Sequence, residues 1–139
     1  MGYRALDHMT DAYIEAYGNT LEQAFEFAAK ALVDTMIDLG NVAATKEEQV
    51  VAEGHDLHSL LYNWLELVMN KMLVDRQALS YFKVSISQHK ERYELKATVR
   101  GEPLDIEKHR YKVEIKGVTY HLMEIERNGI VKLRFLLDL

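Results

Sequence analysis

Ala12-Tyr13-Ile14-Glu15-Ala16-Tyr17-Gly18 alternates in the manner of a half-buried strand, and beyond Gly18 the period changes. From Thr20 onward, Leu21, Ala24, Phe25, Ala28, Leu32, Met36 and Leu39 recur three and four residues apart, the spacing of one helical face. Thr20 and Gln23 have capping-box spacing, in which a hydroxyl satisfies an orphan amide of the first turn and the glutamine reaches back. Gly40-Asn41 offers a C-terminal stop. The reading is a strand over 12–18 running directly into a helix over 20–39.

Outward from this junction, residues 48–54 suit a short strand. Asp56 then caps a second helix over 56–74, with Leu57, Leu60, Leu61, Trp64, Leu65, Val68 and Met72 as its apolar stripe. Residues 80–88 and 92–100 alternate as strands joined by the polar turn Gln88-His89-Lys90-Glu91. Residues 101–105 read as a loop, and 106–117 as either a helical turn or a short strand. Residues 118–127 and 130–138 form a hairpin about Asn128-Gly129, a pair suited to a type I′ turn because both central residues need positive φ. Two long helices and about six strands, without βαβ alternation, predict an α+β fold with a mostly antiparallel sheet. With no repeat or linker, residues 1–139 read as one domain.

Composition narrows the function classes. Apolar residues make up 48 % of the 139 and charged residues 28 %, ordinary values for a soluble globular protein. No run approaches the roughly 18 to 20 apolar residues that span a bilayer, and the first residues lack the basic and apolar blocks of a secretory signal. The absence of cysteine removes disulfides, thiolate catalysis and zinc–thiolate sites. A cytoplasmic protein is expected. With 22 acidic against 17 basic residues the formal charge is −5, which disfavours direct, tight binding to RNA phosphates. A basic protein partner or a cation fits that charge better.

The chemistry-bearing candidates are few. If Asn128-Gly129 is a two-residue turn, Arg127 faces Ile130, Asp138 lies opposite Thr119, and His121 is diagonally adjacent on the same face. Taken alone, Asp138 also reads as a solvated terminal carboxylate. Asp11 reads as a turn residue before its strand, and His8 as a hydrogen-bonded structural residue. Nothing in the spacing joins Asp11 to Asp138. His109, Lys116 and His121 punctuate a stretch that a mixed polar face explains, and Met36, Met69 and Met72 read as core. His55 and His58, either side of Asp56, match no zinc pair. Neither a Gly-rich phosphate loop nor a Gly-x-Ser-x-Gly element occurs.

Four stretches together resemble the archease family. They are Asp7-His8-Met9-Thr10-Asp11 with the strand and Gly18-Asn19-Thr20-Leu21 after it; Asp56-Leu57-His58-Ser59-Leu60-Leu61-Tyr62-Asn63-Trp64-Leu65; Gly101-Glu102-Pro103 through Lys116-Gly117-Val118-Thr119-Tyr120-His121; and Arg134-Phe135-Leu136-Leu137-Asp138-Leu139. The family commonly has His-Thr-Ala-Asp at the first motif and Ala in place of Gly117; neither departure removes a candidate ligand. The resemblance implies a strand-helix-strand-strand fold with an insertion. It implies a metal site of Asp11, Asp138 and an oxygen of Leu139, all-oxygen ligation that suits Ca²⁺ first and Mg²⁺ second. It also implies an activator of the RtcB-type tRNA-splicing RNA ligase, promoting guanylylation and multiple turnover and widening nucleotide use, with His121 and Lys116 as further activating candidates. Two other readings stand beside it: an independent metal-dependent hydrolase using Asp11, Asp138 and His121, and a chaperone-like interaction module.

Overall fold

The computed structural model describes residues 1–6 and 10–139, so the expectation for His8 lies outside the described residues. Strands β1 (Gly2–Leu6) and β2 (Ala12–Gly18) lead into helix α1 (Leu21–Met36); after a 3-10 turn at Leu39–Asn41 come β3 (Lys46–Gly54), helix α2 (Leu57–Leu73), β4 (Gln77–His89), β5 (Arg92–Pro103), β6 (Gly117–Glu126) and β7 (Val131–Asp138). The strands form two antiparallel sheets, ordered β1-β2-β7-β6 and β3-β5-β4. The block β3-α2-β4-β5 is thus an insertion into a β2-α1-β6-β7 unit, and the fold is α+β as expected, with the strands divided between two sheets. Among the described residues, no helix is long and apolar enough to cross a membrane.

Each helix packs on both sheets, α1 against β2 and β4, α2 against β6 and β3. The predicted stripes are the surfaces that pack: Phe25, Leu32 and Met36 on α1, and Leu60, Trp64 and Met72 on α2, are all buried in one continuous core. The Trp64 indole N–H donates to the Phe25 carbonyl at 3.0 Å, so the largest core side chain also ties the two helices together without leaving its polar atom unpaired. Asp56 caps α2 in a capping box with Ser59. At α1 the box is modified: Thr20 Oγ1 accepts from the Gln23 amide at 3.1 Å, while Gln23 Oε1 accepts from Asn19, one residue further back, at 2.8 Å.

Helix α1 stops at Met36, short of the predicted Leu39. The cause is tertiary: the Met36 carbonyl accepts from Lys112 and the Asp38 amide donates to the His109 carbonyl, so a distant segment takes the groups that another helical turn would have used. Gly40-Asn41 lies in the 3-10 turn instead. The loop expected over 101–105 is corrected as well, because β5 continues to Pro103, paired with β4 as far as Gln77. Gly101 makes this possible: a Cβ there would lie 1.8 Å from the Ala78 carbonyl oxygen, beside the irregularity between Leu79 and Tyr81. On its other edge β4 is covered by α1, whose Glu26 carboxylate accepts the outward Val84 N–H at 2.8 Å.

Residues 104–116 are a bonded connection of turns, neither a regular helix nor a strand. Its anchor is Glu102, which accepts from the Ala43 amide at 2.9 Å, the Lys108 ammonium at 2.7 Å and His109 Nε2 at 2.7 Å. His109 is fully buried, not part of an exposed polar face. Its Nδ1 accepts the Asp105 N–H at 3.0 Å, so Nε2 carries the proton given to Glu102. The Ala43 amide, His109 and Lys108 hold the Glu102 carboxyl at about 2, against an ordinary 4.5. As pH falls the unfolded chain takes up this proton first, so the stabilisation is whole above about 4.5 and is lost toward about 2. Glu102→Gln is therefore expected to melt at a lower temperature near neutral pH. Thermal melts followed downward in pH should also show the variant losing less stability across that window than the parent.

Candidate functional site

Strand β7 lies between β2 and β6, so both neighbours bring their ends to its C-terminus. The last β2–β7 pair is Ala12 with Leu137, and one step beyond it lie Asp11 and Asp138. The carboxylates that the sequence could not connect thus end adjacent antiparallel strands, where directly opposed Cβ atoms are about 4.5–5.5 Å apart. By strand alternation Asp138 lies on the face turned away from the helices, opposite to Leu137. On the far side of Asp138 the β6 partner is Gly117, and the Lys116 N–H donates to the Asp138 carbonyl at 2.7 Å. Asp138 and Lys116 are exposed, Asp11 is half-buried, and Leu139 packs partly buried against the core.

His121 does not join them. The β6–β7 pairing begins with Glu126 and Lys132, with Gly129 at φ +84° and Asn128 without positive φ, so the turn is longer than the expected two-residue type I′. Pairing then slips between Thr119 and Glu124, where residues 120–123 stand opposite Phe135 alone and Leu122 takes φ +61°. The longer turn alone would set Asp138 opposite Tyr120, and the bulge, with three extra residues on β6, carries it back to Gly117. His121 ends up exposed within the bulge, four positions along β6 from Gly117, its amide donating to Thr119 Oγ1 at 3.0 Å. The hydrolase reading required His121 beside Asp138 and loses that support.

The rows behind the site are closely tied. Tyr13 on β2 donates its hydroxyl to the Leu122 carbonyl on β6 at 3.3 Å, so its ring must cross β7 at Leu136, its cross-strand partner. Leu136 is accordingly buried although it points away from the core. In the next row Glu15, 3 % exposed, meets Arg4 at 3.1 Å and Arg134 at 2.8 Å, and Arg134 meets Glu124 at 3.2 Å, a charge ladder across all four strands. Burial pushes the Glu15 carboxyl up, but Arg134 and Arg4 outweigh it and hold it below the ordinary carboxylate range. Neither the Tyr13 nor the Glu15 contacts have a signature in local pattern, because they depend on strand order.

The donor chemistry at the strand ends fits a hard divalent cation. Asp11 and Asp138 stand at opposed positions one step past the last β2–β7 pair, Leu139 follows, and Asp138 has no ion pair with a basic side chain among the described residues. Among the described residues there is no group of three or more His, Cys, Asp or Glu side chains suited to a metal. Asp11, Asp138 and Leu139 are the residues that would hold the ion, with backbone or solvent oxygens completing its shell.

Residues 3–139 match the archease protein family (MTH1598/TM1083). The chain is 41 % identical to the protein archease of Pyrococcus abyssi over 121 residues, covering 87 % of this chain and 85 % of that one. It is 37 % identical to the protein archease of Methanothermobacter thermautotrophicus over 139 residues, 99 % of each chain. Its backbone is similar to the solution structure of Methanobacterium thermoautotrophicum protein 1598, with a TM-score of 0.84 at 37 % identity and 99 % coverage of both chains. The match over nearly the whole length, in sequence and in backbone, establishes that the chain belongs to the archease family.

Proposed function

We propose that this protein is a metal-binding, non-catalytic activator of the RtcB-type tRNA-splicing RNA ligase, acting in the cytoplasm in tRNA splicing and RNA repair. It raises guanylylation of the ligase, sustains multiple turnover and widens nucleotide use. The observation that carries the proposal is the placement of Asp11 and Asp138 side by side at an exposed sheet end. An acidic tip of this kind can enter a partner's nucleotide site, which a deeply enclosed site could not do. The net charge of −5 fits a basic protein partner and argues against independent RNA binding.

Charge accumulates on phosphoryl oxygens as a guanylyl group is transferred, and fixed opposing charge is usually the largest catalytic term in such steps. A bound divalent cation, Ca²⁺ or Mg²⁺, supplies positive charge at the tip. Asp11 and Asp138 would hold it, with an oxygen of Leu139. Lys116 stands next to them on an anchored backbone and offers its ammonium to the same phosphate. The Tyr13 bridge and the Glu15 ladder keep the strand ends in register, so the carboxylates need little reorganisation when the partner arrives.

Two outcomes are expected. In a guanylylation time course of the cognate ligase, the parent protein accelerates label incorporation, while Asp138→Ala keeps its fold and lowers the stimulation at least tenfold. Undiminished stimulation by that variant would exclude the proposed role of the tip. In thermal melts of the protein alone, Ca²⁺ at about 100 times its dissociation constant should stabilise the parent by roughly 2.7 kcal/mol. Asp11→Asn and Asp138→Asn should lose most of that gain, and calorimetry on the same variants measures the affinity directly.

A further inference from the structure

The bulge that displaces His121 also places two apolar side chains in solvent close to the acidic tip. Tyr120 is 52 % exposed and Leu122 41 % exposed, and Leu122 holds φ +61°, a conformation a leucine adopts only when its surroundings enforce it. Those surroundings are visible on both sides of β6. From the helix layer, the Tyr62 ring stacks on Tyr120 with centroids 4.5 Å apart and planes 8° from parallel. From the opposite face, Tyr13 holds the Leu122 carbonyl. The exposed pair is therefore preorganised, and rigid aromatic anchors of this kind dominate protein interfaces because little entropy is lost on docking.

Two carboxylates, Asp56 and Glu66, border the tyrosines. Burial raises the Tyr120 hydroxyl above its ordinary range, and the Asp56 and Glu66 carboxylates add to it. Tyr62 is raised the same way, by burial first and then by Glu66. Such a rim repels a polynucleotide backbone and favours a partner side chain carrying positive charge, which can lie over the free face of an aromatic ring while its charge meets the carboxylates.

We infer that the Tyr62–Tyr120 stack and Leu122 form the docking anchor for the ligase, receiving an apolar face of that protein with an arginine or lysine over the Tyr120 ring. The inference rests on the activating role proposed above. Tyr120 is three residues from Gly117, the partner of Asp138, a reach of about 10 Å along a strand. β6 is the outer strand of its sheet, with Asp138 on one face and Tyr120 on the helix side, so a partner covering an ordinary interface of about 800 Å² meets both by wrapping this border. The tip and the anchor then divide the work: Asp11, Asp138 and Lys116 act on the guanylyl transfer, while Tyr62, Tyr120 and Leu122 set affinity.

That division is testable by titrating the full-length protein into the ligase and following guanylylation. Tyr120→Ala should raise the concentration giving half-maximal stimulation at least tenfold while leaving the plateau unchanged, and Tyr120→Phe should stay within about twofold of the parent. Asp138→Ala should show the reverse pattern, a lower plateau at an unchanged half-maximum. Leu122→Gly removes the backbone strain, so it should raise the half-maximal concentration without lowering Tm; if Tyr120→Ala melts early, this variant decides. Half-maxima within twofold of the parent for both Tyr120→Ala and Leu122→Gly would overturn the anchor. So would a single-stranded RNA oligonucleotide that binds the isolated protein and is released by Tyr120→Ala, since the platform would then belong to RNA. If the parent itself gives no stimulation, the activating role fails; calorimetric titration of the ligase with parent and Leu122→Gly then judges docking alone, equal affinities or no binding counting against it.

Discussion

The constraint on which the molecule depends is the pairing of β2 with β7. One strand comes from near the start of the chain and the other from its end, and between them lie both helices, β6 and the whole inserted block. Once Ala12 faces Leu137, the first sheet has its two central strands, and the outer strands β1 and β6 only add to them. The same register sets Asp11 opposite Asp138. A slip of one residue would send every side chain of one strand to the other face and separate the two aspartates. Glu15 guards against that slip, since its buried carboxylate is satisfied only when Arg4 and Arg134 both lie beside it in neighbouring strands. Losing either partner would leave a nearly buried charge short of a hydrogen bond, and that cost exceeds what an exposed ion pair contributes.

Legibility in the sequence followed the range of the interaction. The helix faces, the Asp56 cap and the alternating strands were readable, because each depends on residues within a turn or two of one another. The end of α1 was not, because Lys112 and His109 decide it from across the fold. β1 escaped notice for a similar reason: Gly2–Leu6 has no strong alternation, and it becomes a strand by having β2 to pair with. The bulge in β6 ran against local preference, since nothing about a leucine announces a left-handed backbone. The bulge is what parts His121 from Asp138.

The acidic tip shows the limit most clearly. Asp11 and Asp138 carry no shared motif and no spacing; what unites them is the strand order, which periodicity does not encode. Family likeness supplied the connection that pattern analysis could not, and the register then provided an independent physical reason for it. His109 is the converse case. Its neighbours are all charged or polar, yet it is fully buried, with both ring nitrogens bonded, in the connection that leads to Lys116.

Glu26 has a bearing on how this protein coexists with its own copies. β4 is the border of the second sheet, and an uncovered border is a template on which another chain can grow by main-chain pairing. By accepting the Val84 amide, the helix carboxylate occupies the position a foreign strand would take. The guard is electrostatic as well as steric, because an incoming carbonyl oxygen would meet a negative charge where it needs a donor. Resistance to self-association at this border therefore rests on one helical side chain, held in place by a single main-chain amide.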